Sequence, residues 1–195
     1  AAVIRDHEDT SRYLGGGEES YGFLAEDFAR DKDSVSAISL MAEICAWAKD
    51  KGMDFLQMLQ DIYIKYGFSR EEGISVVRKG KSGAEEIIAM MKAFRSNPPK
   101  SLGGSKVVTI KDYADLNVTD VTTGTVSKMD MPTTSNVLQY FTEDGTKVSI
   151  RPSGTEPKIK FYIEVKGTMA TNADYDKAIS EADNKIAAVK TDLGI

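Results

Sequence analysis

From Lys158 to Val165 the chain alternates strictly: Ile159, Phe161, Ile163 and Val165 are apolar, while Lys158, Lys160, Tyr162 and Glu164 are polar or amphipathic. A period of two over eight residues specifies a strand with one face buried and one face wet. Such a strand needs neighbours on both edges and a cover for its apolar face. The flanking sequence predicts both. Val137 to Thr142 and Lys147 to Ile150 read as strands joined by Asp144-Gly145, a hairpin turn signal. Lys106 to Lys111, Thr125 to Met129, and the group Ile74, Val76 and Val77 add further β-type segments. The cover comes from two helical patterns. Ser82 followed by Glu85 predicts a capping box opening a helix with Ile87, Ile88, Met91 and Phe94, stopped by Asn97-Pro98-Pro99. A last helix over 174–190 places Tyr175, Ile179, Ala182, Ile186 and Val189 on one face. This order predicts an α+β fold, an antiparallel sheet with two covering helices.

Before residues 67–70 the pattern is different. Val35, Ile38, Met41, Cys45 and Ala48 recur at helical spacing behind an Asp33 or Ser34 N-cap, and Lys51-Gly52 ends that run. A second helix is predicted over 54–66, with Phe55, Leu56, Leu59, Ile62, Tyr63 and Tyr66 as its stripe and Gly67 as its stop. Two helices and a loop have little of their own to cover, so they read as the end of a larger α/β unit. Trp47 and the methionines at helical spacing read as core residues. The chain opens Ala1-Ala2-Val3-Ile4 without an initiator Met, and is expected to be a piece of a longer protein.

Composition removes several function classes. There are 25 basic and 30 acidic side chains, a net charge of −5, where a phosphate-neutralising nucleic-acid binder would carry a basic excess. No apolar run approaches the roughly 20 residues of a spanning helix. Neither nucleic acid nor membrane is expected as a partner. The single cysteine, Cys45, and the single histidine, His7, leave no material for a disulfide framework or a common zinc site, and a cytoplasmic location is expected.

Two loops carry residues suited to chemistry. In 151–157, Arg151 offers a planar fork for phosphate, Ser153 and Thr155 offer hydroxyls, and Gly154 permits a nest of backbone N–H groups. Lys160 leaves the following strand opposite Phe161 and adds a second cation. The alternative is an ordinary polar hairpin loop. In the second loop, Gly17-Glu18-Glu19-Ser20, adjacent carboxylates repel phosphate but accept hydrogen bonds from sugar hydroxyls. A metal site and a plain solvated turn are the alternatives there.

In this order the two loops resemble the phosphoglucomutase/phosphomannomutase family, the α-D-phosphohexomutases. Gly17-Glu-Glu-Ser-Tyr-Gly-Phe-Leu24 is similar to its sugar-binding loop, and Arg151-Pro-Ser-Gly-Thr-Glu-Pro157 with Ile159-Lys-Phe-Tyr162 is similar to its phosphate-binding loop. Asp27-Phe-Ala-Arg-Asp-Lys-Asp33 resembles the type-2 phosphoglucomutase branch. The resemblance implies that residues 1–68 are the C-terminal part of domain 3 and residues 69–195 are domain 4, with a TATA-box-binding-protein-like fold. It implies Glu18 and Ser20 as sugar contacts, Arg151, Ser153, Gly154, Thr155 and Lys160 as phosphate contacts, and Lys32 as a possible catalytic residue. Many members place a histidine two residues after the loop serine; here Gly22 stands there.

The implied parent activity interconverts hexose 1-phosphate and hexose 6-phosphate through a phosphoserine and a bisphosphate, using Mg²⁺ and glucose 1,6-bisphosphate. The phosphoserine and metal motifs are not in this sequence: there is no Ser-His pair, and the only Asp-Gly, at Asp144, continues with Thr146. The expected partners are therefore a hexose phosphate and the N-terminal domains 1 and 2 of the same chain. The expected role of these 195 residues is recognition without catalysis. The alternative is a sugar-phosphate-binding regulatory module.

Overall fold

The structure, a computed structural model, describes residues 7, 9–17, 22–25 and 31–195. It divides into two units, Ala1–Ile62 and Tyr63–Ile195. In the second unit the alternating segment is strand β10 (Lys158–Gly167), antiparallel to β3 (Phe68–Val77) on one edge and β9 (Lys147–Pro152) on the other. Beyond β9 lie β8 (Leu138–Thr142), β5 (Ser105–Asp112), β6 (Asn117–Asp120) and β7 (Val126–Lys128), with β4 (Ser101–Leu102) paired to β5. Every pairing among these strands is antiparallel.

One face of this sheet forms the core. Ile159, Phe161, Ile163 and Val165 are at most 2% exposed, and Val148, Ile150, Leu138 and Tyr140 join them from β9 and β8. Two helices supply the rest: α3 (Gly80–Ser96) through Ile87 and Met91, and α4 (Tyr175–Leu193) through Ala178, Ala182, Ile186, Val189 and Leu193. Each large apolar side chain buried here contributes roughly 1.5–3 kcal/mol. Phe94 of α3 meets Phe161 edge to face at 5.9 Å. The Tyr140 hydroxyl donates to the Phe94 carbonyl at 2.8 Å, and burial pushes its phenol far above the usual range. The α+β class with two covering helices is the architecture observed.

Three local expectations are corrected. Ser82 and Glu85 form no capping box, because α3 begins earlier, at Gly80 (φ +77°), behind a Lys79 N-cap without a side-chain bond. The capping box found lies elsewhere, between Thr171 and Asp174 at a 3₁₀ turn (Asn172–Asp174) that precedes α4. Short strands β4 and β6 were not expected; their residues lack an alternating apolar pattern and are ordered by pairing with β5. Finally, β9 runs past Ile150 through Arg151 and Pro152, so Arg151 sits in the ladder rather than in the loop. The Asp144-Gly145 turn forms as expected: Gly145 has φ +82°, and Asp144 accepts from the Thr142 hydroxyl and from both the N–H and hydroxyl of Thr146.

The first unit contains a two-residue ribbon, β1 (Gly16–Gly17) with β2 (Phe23–Leu24), then α1 (Ser34–Asp50) and α2 (Phe55–Tyr66), whose last turn reaches into the second unit. Asp33 caps α1 by accepting from the Val35 N–H at 3.0 Å. Asp54 and Gln57 exchange reciprocal bonds at the start of α2. The apolar stripe of α1 is not a core, however. Val35 is 73% and Ile38 70% exposed, and Trp47, expected inside, is 52% exposed. The helix is amphipathic as its period requires, but the strands described in this unit are two residues long and cannot cover it. Within the second unit, Tyr63 packs edge to face on Phe68 at 5.0 Å.

Candidate functional site

The loop 153–157 connects β9 to β10, and its ends are fixed by strand pairing. Arg151 lies directly opposite Lys160, and Pro152 opposite Ile159. Ile159 is buried, so Arg151 and Lys160 share the other face of the sheet, away from the helices. Two cations opposed across an antiparallel pair repel each other unless an anion lies between or beside them. Arg151 is exposed and Lys160 is half-buried, with its Nζ 5.8 Å from the centre of the Tyr162 ring. Two cationic side chains thus share one face at the end of two central strands.

Past the strands the loop is a tight turn. The Ser153 N–H donates to the Lys158 carbonyl at 2.9 Å, and the Lys158 N–H donates to Glu156 at 2.8 Å. Ser153 Oγ accepts from the Thr155 N–H at 3.4 Å and the Glu156 N–H at 3.3 Å. Both bonds exceed the usual 2.7–3.2 Å range, so these amides lose little by turning to a stronger anionic acceptor. Gly154 does not adopt a positive φ. A Cβ on Gly154 would meet nothing within 4 Å, leaving open space over the turn. Glu156 pairs with Lys158, and that hydrogen bond holds its carboxyl below the usual range.

The structure thus brings Arg151, Ser153, Gly154, Thr155 and Lys160 together on one hairpin. It also shows a tether that the sequence pattern gave no sign of: the Arg78 N–H donates to the Pro157 carbonyl at 2.9 Å. That contact depends on the pairing of β3 with β10, about 80 positions apart in the chain, and local pattern cannot report it.

Glu18 and Ser20 lie outside the described residues. Their flanks are paired, Gly16 with Leu24 and Gly17 with Phe23, and the Tyr13 hydroxyl donates to the Leu24 carbonyl at 2.9 Å. Lys32 follows in the same unit, with its Nζ 2.9 Å from Asp31 Oδ1; that hydrogen bond lowers the Asp31 carboxyl. Among the described residues no group of three or more His, Cys, Asp or Glu is placed to hold a metal ion. No described helix is long and apolar enough to cross a membrane.

Two family models match the chain: "Phosphoglucomutase/phosphomannomutase, alpha/beta/alpha domain III" over residues 2–66, and "Phosphoglucomutase/phosphomannomutase, C-terminal domain" over residues 95–182. The chain belongs to the phosphoglucomutase/phosphomannomutase family. Curated relatives agree. A phosphoglucomutase of Staphylococcus haemolyticus is 35% identical over 165 residues, and one of Staphylococcus aureus is 38% identical over 166 residues. Each match covers 85% of this chain and 30% of the relative, so the chain spans about 30% of their length. Among solved structures, the open form of pp63/parafusin, a phosphoglucomutase from Paramecium, aligns with 100% of this chain and 33% of its own, at a TM-score of 0.51 and 20% identity. That likeness bears on the fold. Within this phosphohexomutase family member, the Arg151–Lys160 hairpin falls in the segment matched to the C-terminal domain, and Glu18, Ser20 and Lys32 in the segment matched to domain III.

Proposed function

We propose that this chain is the substrate-gripping part, from domains 3 and 4, of an enzyme that interconverts hexose 1-phosphate and hexose 6-phosphate through a phosphoserine and a bisphosphorylated intermediate. The observation that carries this reading is the opposition of Arg151 and Lys160 beside a turn with two loosely held N–H groups. Phosphoryl transfer depends on positioning and on charge placed around the transferring group. One phosphate of the sugar must be held while the opposite end reacts. Arg151 suits that grip because its fork forms two parallel bonds to phosphate oxygens. Lys160 adds a point charge from the neighbouring strand. The Ser153 and Thr155 hydroxyls and the amides of Thr155 and Glu156 complete the ring of donors.

Glu18 and Ser20 take the sugar hydroxyls in this reading, in either of the two orientations the reaction requires. Lys32 is a weaker nominee for proton transfer near them. Mg²⁺ and glucose 1,6-bisphosphate serve the complete enzyme. The described residues present no carboxylate cluster for the metal.

The test uses the 195-residue chain and glucose 1-phosphate, with the Gly154 and Gly17 amides followed by NMR and the products assayed. The expected result is a saturable shift at both glycines and no glucose 6-phosphate. Turnover would overturn the non-catalytic role, and an unresponsive Gly154 would overturn the phosphate assignment.

A further inference from the structure

Gly83 lies in the first turns of α3, and a Cβ there would stand 2.5 Å from the Arg78 carbonyl carbon, 2.6 Å from its oxygen and 2.8 Å from its Cβ. Two of these are backbone atoms, so no flexible side-chain end can move aside. Gly83 does not have a positive φ, and the requirement is therefore space rather than backbone freedom. The residue it presses against is the one that pins the candidate phosphate loop: the Arg78 N–H bonds the Pro157 carbonyl at 2.9 Å, just past the last β3–β10 pair, Val77 with Lys158. One end of the loop is thus held by the β9–β10 ladder at Arg151 and Lys160. The other is held by the N–H of the Val77–Arg78 peptide, one Cα away from the Arg78–Lys79 peptide that Gly83 packs against.

We propose that Gly83 is a positioning residue for the anion grip, acting through the backbone of Arg78 on Pro157 and hence on the Ser153–Glu156 turn. The inference rests on the reading of 151–157 as the phosphate loop. An alanine at 83 must push the Arg78–Lys79 peptide or tilt the start of α3, and a push carried across the Arg78 Cα to the Val77–Arg78 peptide lengthens the Arg78–Pro157 bond. The turn then samples arrangements in which its donors and Arg151 no longer converge. The Arg78 side chain has a separate role, pairing with Glu86 at 3.2 Å, so backbone and side-chain effects are separable.

The experiment compares the unsubstituted 195-residue chain with Gly83→Ala, Glu86→Gln and Ile186→Val, the last a core change in α4 that loosens the unit without touching the loop. Amide exchange at Arg78 and Ser153 reports the tether without any ligand, and titration with glucose 1-phosphate reports the grip. For Gly83→Ala, faster exchange at both amides and a dissociation constant raised about three- to tenfold, the scale of one lost hydrogen bond, are expected. Glu86→Gln and Ile186→Val should stay within about twofold of the parent. Unchanged exchange in Gly83→Ala overturns the tether. Unchanged affinity in Gly83→Ala, or an equal loss in Ile186→Val, overturns the positioning role. If Gly83→Ala does not fold, an amide-to-ester replacement at Arg78 removes the same N–H donor and must weaken binding as much; equal binding there overturns the proposal. An unsubstituted chain that does not bind glucose 1-phosphate defeats the phosphate reading itself, while the exchange rates still judge the tether.

Discussion

Strand β10 and helix α1 carry apolar patterns of similar regularity, yet their fates differ. Ile159, Phe161, Ile163 and Val165 are at most 2% exposed, whereas Val35 and Ile38 are at least 70% exposed. Periodicity decides which face of an element is apolar; it does not supply what covers that face. β10 is paired along both edges and covered by α3 and α4. Helix α1 belongs to a unit whose described strands are two residues long. The second unit therefore has a core of its own, whereas in the first the α1 stripe is buried at Ala48 but exposed at Val35 and Ile38.

The sharpest way to test that contrast is to truncate one side chain in each unit. Phe161→Ala is expected to destabilise the second unit by about 3–5 kcal/mol, read from urea unfolding followed by the second unit's signals. A cost below that of an ordinary surface change would mean the β10 core is not the stability determinant. A smaller effect is expected at the wet face of the same strand. Burial raises the Glu164 carboxyl, but hydrogen bonds from Lys147 and Lys166 outweigh it and hold the group below its usual range. Its contribution is present above about 4.3, the ordinary glutamate value, and is lost as pH falls through the lower folded value. Glu164→Gln should therefore flatten the acid side of the stability profile, and an unaltered profile would contradict the pairing.

Two substitutions should change stability least. Gly154→Ala fits the open space over the loop, so the melting midpoint should hold or rise slightly while affinity for glucose 1-phosphate drops; intact affinity would show that no ligand approaches that turn. Ile38→Ala on α1 should stay within about 0.5 kcal/mol, because the side chain is already exposed. A loss of several times that would mean the stripe is covered after all.

Much of the second unit was legible in the sequence because its signals are local. The alternation at Lys158–Val165, the Asp144-Gly145 turn and the stop at Asn97-Pro98-Pro99 each act within a few residues, and each is found where its chemistry placed it. The errors share a physical cause. Strands β4 and β6 exist through pairing with β5, and the Ser82–Glu85 signal lost to a helix that begins two residues earlier, at Gly80. Trp47 was misjudged because an apolar side chain at helical spacing says nothing about its cover. At the site, the residue types of 151–157 were readable. The extension of β9, which sets Arg151 against Lys160, was not, since proline at 152 reads as the end of a strand.

The central claim is that Arg151, Lys160 and the turn between them hold one phosphate of a sugar. Calorimetric titration of the 195-residue chain with glucose 1-phosphate, beside free glucose and at low and high salt, tests it most directly. The predicted result is saturable, salt-sensitive binding of the phosphorylated sugar that weakens by about 1.5–3 kcal/mol in Arg151→Ala, the loss of a charged hydrogen-bonding partner. Equal binding by Arg151→Ala, or equal binding of free glucose, would contradict it.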